Sequence, residues 1–485
     1  MGVSRRDTTV NQTPQASGVI AHRSDRIAPG PRGKLFGASV PFLRTDPLLA
    51  LQELTRSYGD VVRVRVLELV HLVNHPEHTK HVLQDNHLNY EKGYGYQRLR
   101  PLVGNGLLTS EGDFWKRQRR LAQPGFHKQR IAGFAALMGR HASAQVDRWN
   151  QLAPGTVVDV HEEMMRLTLG VVGDALFSID LSGAAKATGT ALSVATAILQ
   201  ERLHAPFSMP LSIPTPENRR LNRALEELDE LVAGIIRERR QVKREREDLL
   251  SLLMEATDEQ GGGMNDEQLR DEVMTMVLAG HETTANALSW AWFLLSRHPA
   301  VERALHHELQ QVLAGRAPSV EDLPALPYTR RVCDEVLRLY PPAWSVARRA
   351  KHDDEIGGFH IPAGTSVVLS PWISHRDPRF WDNPEGFDPD RFLPEACAGR
   401  PPLAYFPFAA GPRMCIGNNF ALMELQIVLA TLVQAYRLNL DPSQRVETAP
   451  RITLRPRDGI RVSLHPRRPL PPLSEIKAST SPEMR

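Results

Sequence analysis

Asn265 opens the stretch that most constrains the fold. Asn is a good N-cap, and Gln268 three residues later can complete a box-like cap. Apolar residues then recur with helical period as far as Arg297, where His298-Pro299 stops the run. The spacing predicts one helix over about 266–297, roughly 48 Å long at 1.5 Å per residue. A helix this long and apolar passes through a core, and that core must be large. Composition permits it: 485 residues, 41% hydrophobic and 24% charged, are ordinary globular proportions. No run of ~18 apolar residues occurs, so no membrane anchor is expected.

The rest of the chain is mostly helical in pattern, with a minor β component. Positions 61–66 (VVRVRV) and 360–368 (HIPAGTSVV) alternate like strands, and 451–454 with 459–464 suggest a strand pair. Positions 219–248 form a long charged amphipathic run, whose interleaved Glu and Asp mark a solvated helix face rather than a basic patch. Pro/Gly-rich segments at 28–33 and 377–389 punctuate the pattern. Residues 1–27 and 465–485 lack periodicity and read as a disordered lead-in and a loose tail.

Several function classes drop out. Lys+Arg is 59 and Asp+Glu is 56, a net charge of +3, which gives no reason to invoke nucleic acid or an anionic membrane. Three cysteines are too few for a disulfide framework or a four-Cys metal site. His281-Glu282 and His307-Glu308 begin an H-E-x-x-H zinc motif, but Ala285 and Gln311 end it. Gly104-Asn105-Gly106 lacks the third Gly and preceding strand of a dinucleotide site. Gly2 lacks the hydroxyl residue that myristoylation needs at the sixth position, and no apolar stretch follows Arg5-Arg6. A cytoplasmic location is expected.

Cys333 falls in a helical stretch and Cys397 in a polar loop, where bland thiols are the default. Cys415 differs. A Gly/Pro-rich turn precedes it and an apolar helical run from Phe420 to about Tyr436 follows. Its sulfur is therefore expected at a helix N-terminus, where free N–H groups lower a thiol pKa. Arg413 adds positive charge, and Gly411 and Gly417 permit close backbone approach.

Phe408, Gly411, Arg413, Cys415 and Gly417 spell F-x-x-G-x-R-x-C-x-G, which resembles the heme-binding loop of the cytochrome P-450 family. Ala279-Gly280-His281-Glu282-Thr283-Thr284 resembles that family's oxygen-binding segment, and Glu335-Val-Leu-Arg338 its E-x-x-R. E-x-x-R alone means little, since it also begins at Glu53, Glu163, Glu217 and Glu267. Its order before Pro389-Asp-Arg391-Phe392 and Cys415 supplies the specificity. The resemblance spans about residues 28–464 and implies one catalytic domain, mainly α with a minor sheet.

The resemblance implies heme b (iron protoporphyrin IX) with Cys415 as axial ligand to the iron. A thiolate ligand pushes electron density onto iron and favours O–O cleavage. Trp115, Arg119, Arg348 and Arg413 are implied partners of the propionates, with Arg349 a substitute. Phe408 and Gly417 would line the cofactor from the Cys loop, and Ala279 and Gly280 from the long helix. Glu335, Arg338 and Arg391 would form a buried structural network. Gly costs about 1 kcal/mol inside a helix, so Gly280 suggests a spatial need, expected to be room for O2. Glu282 and Thr283, an acid beside an alcohol, suit proton delivery into a dry pocket. Thr283 can also bond back to its own helix, and the two readings coexist. His281 has no assigned role.

By analogy, substrate contacts come from 93–108, 205–216, the long helix near Ala279, 343–346, and Thr453 with Leu454. These are mostly apolar, which implies a hydrophobic or amphipathic substrate. No flavin or iron–sulfur domain is attached, so electrons would come from a separate ferredoxin and NAD(P)H-dependent reductase. Lys116, Arg117 and Arg120 are candidate docking charges. A soluble bacterial-type monooxygenase is the first expectation. A peroxygenase or isomerase on the same scaffold, or a non-catalytic heme sensor, are the alternatives, and the Glu282-Thr283 pair argues against them.

Overall fold

The computed structural model describes residues 26–31, 45–66, 68–178, 185–204, 209–241, 248–258 and 261–467. Nearly all of the expected lead-in and tail lie outside these residues. The interior is framed by helices α1 (Gly112–Ala122), α2 (Ala135–Asn150), α3 (Val160–Phe177), α4 (Asp266–Arg297), α5 (Pro327–Leu339) and α6 (Asn418–Ala435).

The capping box at the start of α4 forms as the spacing requires: Asn265 Oδ1 accepts from Gln268 N at 2.8 Å, and Gln268 Oε1 accepts from Asn265 N at 3.1 Å. At the other end the His298 ring lies 2.7 Å from Leu294 O and Pro299 begins a new helix. Between positions 271 and 295 every residue is buried except Ala279, Gly280 and Thr283. Leu, Val, Met, Trp and Phe supply the apolar part of the buried surface, each contributing about 1.5–3 kcal/mol, and Asp271, Glu272, Thr275, His281, Glu282, Thr284, Asn286 and Ser289 are buried among them. Among the described residues no helix is long and apolar enough to cross a membrane.

The main sheet comprises β1 (Val61–Arg65), β2 (Leu69–Val73), β3 (Tyr90–Lys92), β4 (Val346–Ala350) and β5 (Ser366–Leu369), in the order β1-β2-β5-β4-β3. Only β2 and β5 pair in parallel. The fold is therefore mainly helical with a minor sheet, as the pattern implied. Register at the sheet edge places Lys92 directly opposite Arg348.

Three local expectations need correction. The alternating segment 360–368 is two strands, Phe359–Ile361 and β5, in different sheets. Gly364, at φ +77°, turns the chain between them. Positions 451–464 do not pair with themselves: Leu454–Pro456 pairs with Thr448–Pro450, and Arg461–Pro466 lies between Val157–Asp159 and Tyr436–Leu440. The charged run is helical over Pro216–Gln241, but Arg239 is not on a solvated face. It is buried, bound to Asp248 at 2.6 Å and to Phe177 O at 2.7 Å.

Candidate active site

The Cys loop is pinned on two sides. Phe406 and Ala410 pack into the sheet's core with Val82, Leu83, Tyr90 and Val346, while Phe408 and Ile416 pack against the helical core. Gly411, at φ +71°, comes so close to Leu83 O that a Cβ would lie 1.9 Å from it. No other residue fits there. Gly417 has no such neighbour; it caps α6, and its N–H is hydrogen-bonded to the Cys415 thiol.

Cys415 has an exposed side chain, yet protein surrounds it closely enough that burial pushes its thiol pKa up. The Gly417 N–H and Arg119 pull the other way without winning. The expected low-pKa thiol is thus overturned, because desolvation outweighs the helix N-terminus. Arg413 is also not the cation facing the sulfur. It forms a bidentate pair with Glu111, and its guanidinium sits 4.4 Å above the Trp115 ring.

Behind the loop, Glu335 and Arg338 are both 0% exposed. Arg338 Nε and Nη2 donate to the two carboxylate oxygens at 2.6 and 2.8 Å. Its remaining three N–H groups donate to the carbonyls of His375, Pro384 and Gly386 at 2.7–2.8 Å. All five donors are matched. Arg391 joins by an ion pair, its Nε 3.3 Å from Glu335 Oε1, and donates to the carbonyls of Asp382 and Asn383. The Pro/Gly-rich segment supplies most of these carbonyls. His375, which the sequence reading missed, carries the network to the loop. It accepts from Phe406 N at 2.9 Å, and burial keeps it neutral. Of the other E-x-x-R sites, Glu163–Arg166 is a partly exposed pair, and Arg270 turns from Glu267 to Asp229 and Asp271.

On α4, Ala279, Gly280 and Thr283 share one face and are its only open stretch within the core. Thr283 Oγ1 donates to Ala279 O at 2.7 Å, the back-bond anticipated. Gly280 also meets a neighbour on another helix. A Cβ there would lie 3.0 Å from Val172 Cγ2, so its absence admits α3. Glu282 is buried, and its Oε1 accepts from Thr453 Oγ1 at 2.5 Å. The acid and the alcohol therefore each bond elsewhere, as adjacent helix positions must. His281 is buried and neutral, its Nδ1 3.3 Å from Val277 O. Glu424 of α6 was also missed. Its burial holds the carboxyl well above the ordinary range, against the opposing pull of Thr284.

At the sheet edge, Arg348 is buried, bonded to Ala347 O and the Tyr96 hydroxyl, while Arg349 points outward to Glu91. Lys92 donates to Leu107 O and Ser110 O at 2.6 and 2.9 Å, and burial drives its pKa down to about 7. The loop carrying these carbonyls is strapped to α4: Asn105 N donates to Asp271, and Leu107 N to Glu272. Burial raises the Glu272 carboxyl to about 7. Of the candidate docking charges, Lys116 and Arg120 are exposed, but Arg117 is committed to Asp258 at 2.6 Å and to the carbonyls of Gly262 and Gly263.

A core helix open along one stretch and a thiol on a backbone-locked loop are features a heme-thiolate oxygenase needs. The chain belongs to the cytochrome P-450 family, whose model matches residues 28–464. Cyclooctatin synthase of Streptomyces melanosporofaciens is 38% identical over 89% of this chain and 94% of its own length. Cyclooctat-9-en-7-ol 5-monooxygenase of the same organism is 37% identical over 80% of this chain and 84% of its own. Pentalenene oxygenase of Streptomyces avermitilis is 34% identical over 85% and 92%. The crystal structure of the cytochrome P450DA heme domain is 30% identical, with a TM-score of 0.84 over 92% of this chain and 99% of that one. The protein is a monooxygenase of this family, and the family implies a heme-iron cofactor.

The residues fit that cofactor. Lys92 and Arg348 are basic groups directly opposed across two strands, and together they favour an anion beside them. Arg413 and the Glu111 carboxylate are close to both, and Glu272 also faces Lys92. Arg119, lowered by burial, faces Cys415 and has no carboxylate partner among the described residues. Such a cation-rich edge beside an accessible sulfur suits a porphyrin with two propionates.

Proposed function

We propose that residues 28–464 form one catalytic domain that inserts an oxygen atom of O2 into a hydrophobic, ring-rich, terpene-like molecule: RH + O2 + NAD(P)H + H⁺ → ROH + H2O + NAD(P)⁺. The observation that carries this reading is the open face of Ala279, Gly280 and Thr283 in an otherwise buried stretch of helix, together with an exposed Cys415 on the backbone-locked loop. Relatives named for cyclooctat-9-en-7-ol and pentalenene support the substrate class.

Heme b, when bound, supplies the activation of O2 and the oxygen transfer. Cys415 would hold the iron through its sulfur. Arg119, Arg348 and Arg413, with Lys92 and the Trp115 indole, would bind the propionates, and Phe408, Gly417, Ala279 and Gly280 would contact the porphyrin. The apolar core excludes water. Thr283 Oγ1, whose hydrogen rests on Ala279 O, is placed to pass a proton into the open stretch, and the Glu282 carboxyl is the acid that replenishes it. Glu335, Arg338 and Arg391 keep the loop from moving. Electrons arrive from a separate ferredoxin and reductase, received at the face bearing Lys116 and Arg120, in the cytoplasm.

The test is a spin-state titration of the heme-loaded protein with polycyclic terpenes and terpene alcohols, fatty acids and macrocycles, followed by turnover. Conversion of low to high spin by the terpenes, with product formed from ferredoxin, reductase and NAD(P)H, is expected. Product from H2O2 alone, with none from the electron-transfer chain, would overturn the reading in favour of a peroxygenase.

A further inference from the structure

Glu282 does not hang free. Its Oε1 accepts from Thr453 Oγ1 at 2.5 Å, and that hydroxyl in turn accepts from Asn286 Nδ2 at 3.0 Å. All three side chains are buried. A hydroxyl has one hydrogen to give and lone pairs to receive. With the Asn286 amide donating to it, the Thr453 hydrogen is directed at the carboxylate. Asn286 lies one turn beyond Glu282 on α4, so both ends of the motif stand on one helix face.

The segment that carries Thr453 is fixed independently of its hydroxyl. Trp290 Nε1 donates to Leu454 O at 3.0 Å, Trp344 Nε1 to Arg451 O at 2.8 Å, and Leu454 N to Pro342 O at 2.9 Å. Thr453 is thus a rigid post, 171 residues distant in sequence, against which a flexible acid side chain rests. Without such an anchor a Glu side chain samples several rotamers, and ordering it costs entropy. His161, His281 and Arg455 are the other titratable or charged groups that face Glu282. Burial brings His161 down to about 4, with Ser289 Oγ 3.2 Å from its Nδ1. Two neutral imidazoles and one guanidinium leave Thr453 as the hydroxyl that sets the direction of the carboxylate.

We propose that Thr453 is the positioning residue for Glu282, holding the acid in the orientation from which it supplies protons to the Thr283 side. The proposal rests on the reading of Glu282 and Thr283 as the proton-delivering pair. Thr453→Val removes the hydroxyl and keeps the shape; Thr453→Ser keeps the hydroxyl; Glu282→Gln removes the acid. Two readouts apply: product formed per NAD(P)H, and the carboxyl infrared band of Glu282 in ¹³C-Glu-labelled resting protein, located by difference from Glu282→Gln.

Thr453→Val is expected to shift that band and to lower coupling about tenfold, with heme content and melting temperature retained. Thr453→Ser is expected to restore both readouts. If Glu282→Gln couples like the unaltered protein, the proton reading falls and this proposal with it. If Glu282→Gln uncouples while Thr453→Val leaves band and coupling unchanged, the positioning role alone is overturned. Should Thr453→Val not fold, Thr453→Ala gives the same band measurement.

Discussion

The two sides of the site are built on opposite rules. Behind the Cys loop, the Glu335–Arg338 pair is saturated: Arg338 has five matched donors, and His375 and Asp388 N tie the pair to the loop and its flank, with only Arg391 Nε at its edge making an ion pair and no hydrogen bond. Along α4, buried polar atoms are left open. Glu272 Oε1, Thr275 Oγ1, His281 Nε2 and Asn286 Oδ1 have no protein partner. A saturated network fixes one geometry, because losing any member strands a buried charge. Open donors and acceptors cost stability but leave sites for water, protons and substrate. The pair that holds the loop is over-determined, and the buried polar groups of α4 are not.

That contrast can be broken by mutation. The largest effect is expected from Arg338→Ala, which leaves the buried Glu335 without its bidentate partner and with only the Arg391 ion pair and the Asp388 N–H. It should cost about 3–5 kcal/mol, read as a lower denaturant midpoint with loss of bound heme. A stability within about 0.5 kcal/mol of the unaltered protein would show that the network is not the anchor.

On the α4 side the next effect is a pH dependence. Burial raises the Glu272 carboxyl from 4.5 to about 7 in the folded state. The folded chain therefore binds the proton more tightly than the unfolded chain. The stability it confers is complete below pH 4.5 and is lost as pH rises through 7, by on the order of 3 kcal/mol. Glu272→Gln should flatten the unfolding free energy across that window; an unchanged slope would mean the carboxyl ionises freely.

Thr283→Ala sharpens the contrast at the smallest energetic scale. Coupled turnover should fall on the order of tenfold, about 1.4 kcal/mol, with NAD(P)H still consumed. Stability should hold, since only a hydroxyl bond within its own helix is removed. A large loss of stability would place Thr283 among the structural residues instead.

Local signals made much of this legible. The capping box and His298-Pro299 bounded α4, and the Gly/Pro turn around Cys415 marked a loop no ordinary helix–loop junction needs. What stayed hidden depends on distant segments. Lys92 and Glu111 become site residues only because β3 pairs with β4 and because Arg413 folds back 302 positions to Glu111. Thr453 read as a pocket residue, and its bond to Glu282 has no sequence signature. Gly280 was correctly singled out as a spatial need, but the neighbour it accommodates, Val172, lies on another helix. The thiol pKa was misjudged for the same reason: proximity to a helix start is visible in sequence, while desolvation is not.

The central claim is that the sulfur of Cys415 is the ligand to heme iron. Its most direct measurement is the absorption of the reduced, carbon monoxide-bound protein. The unaltered protein should show the strongly red-shifted band of a thiolate ligand, and Cys415→Ser should lose it. Retention of that band in Cys415→Ser would contradict the assignment.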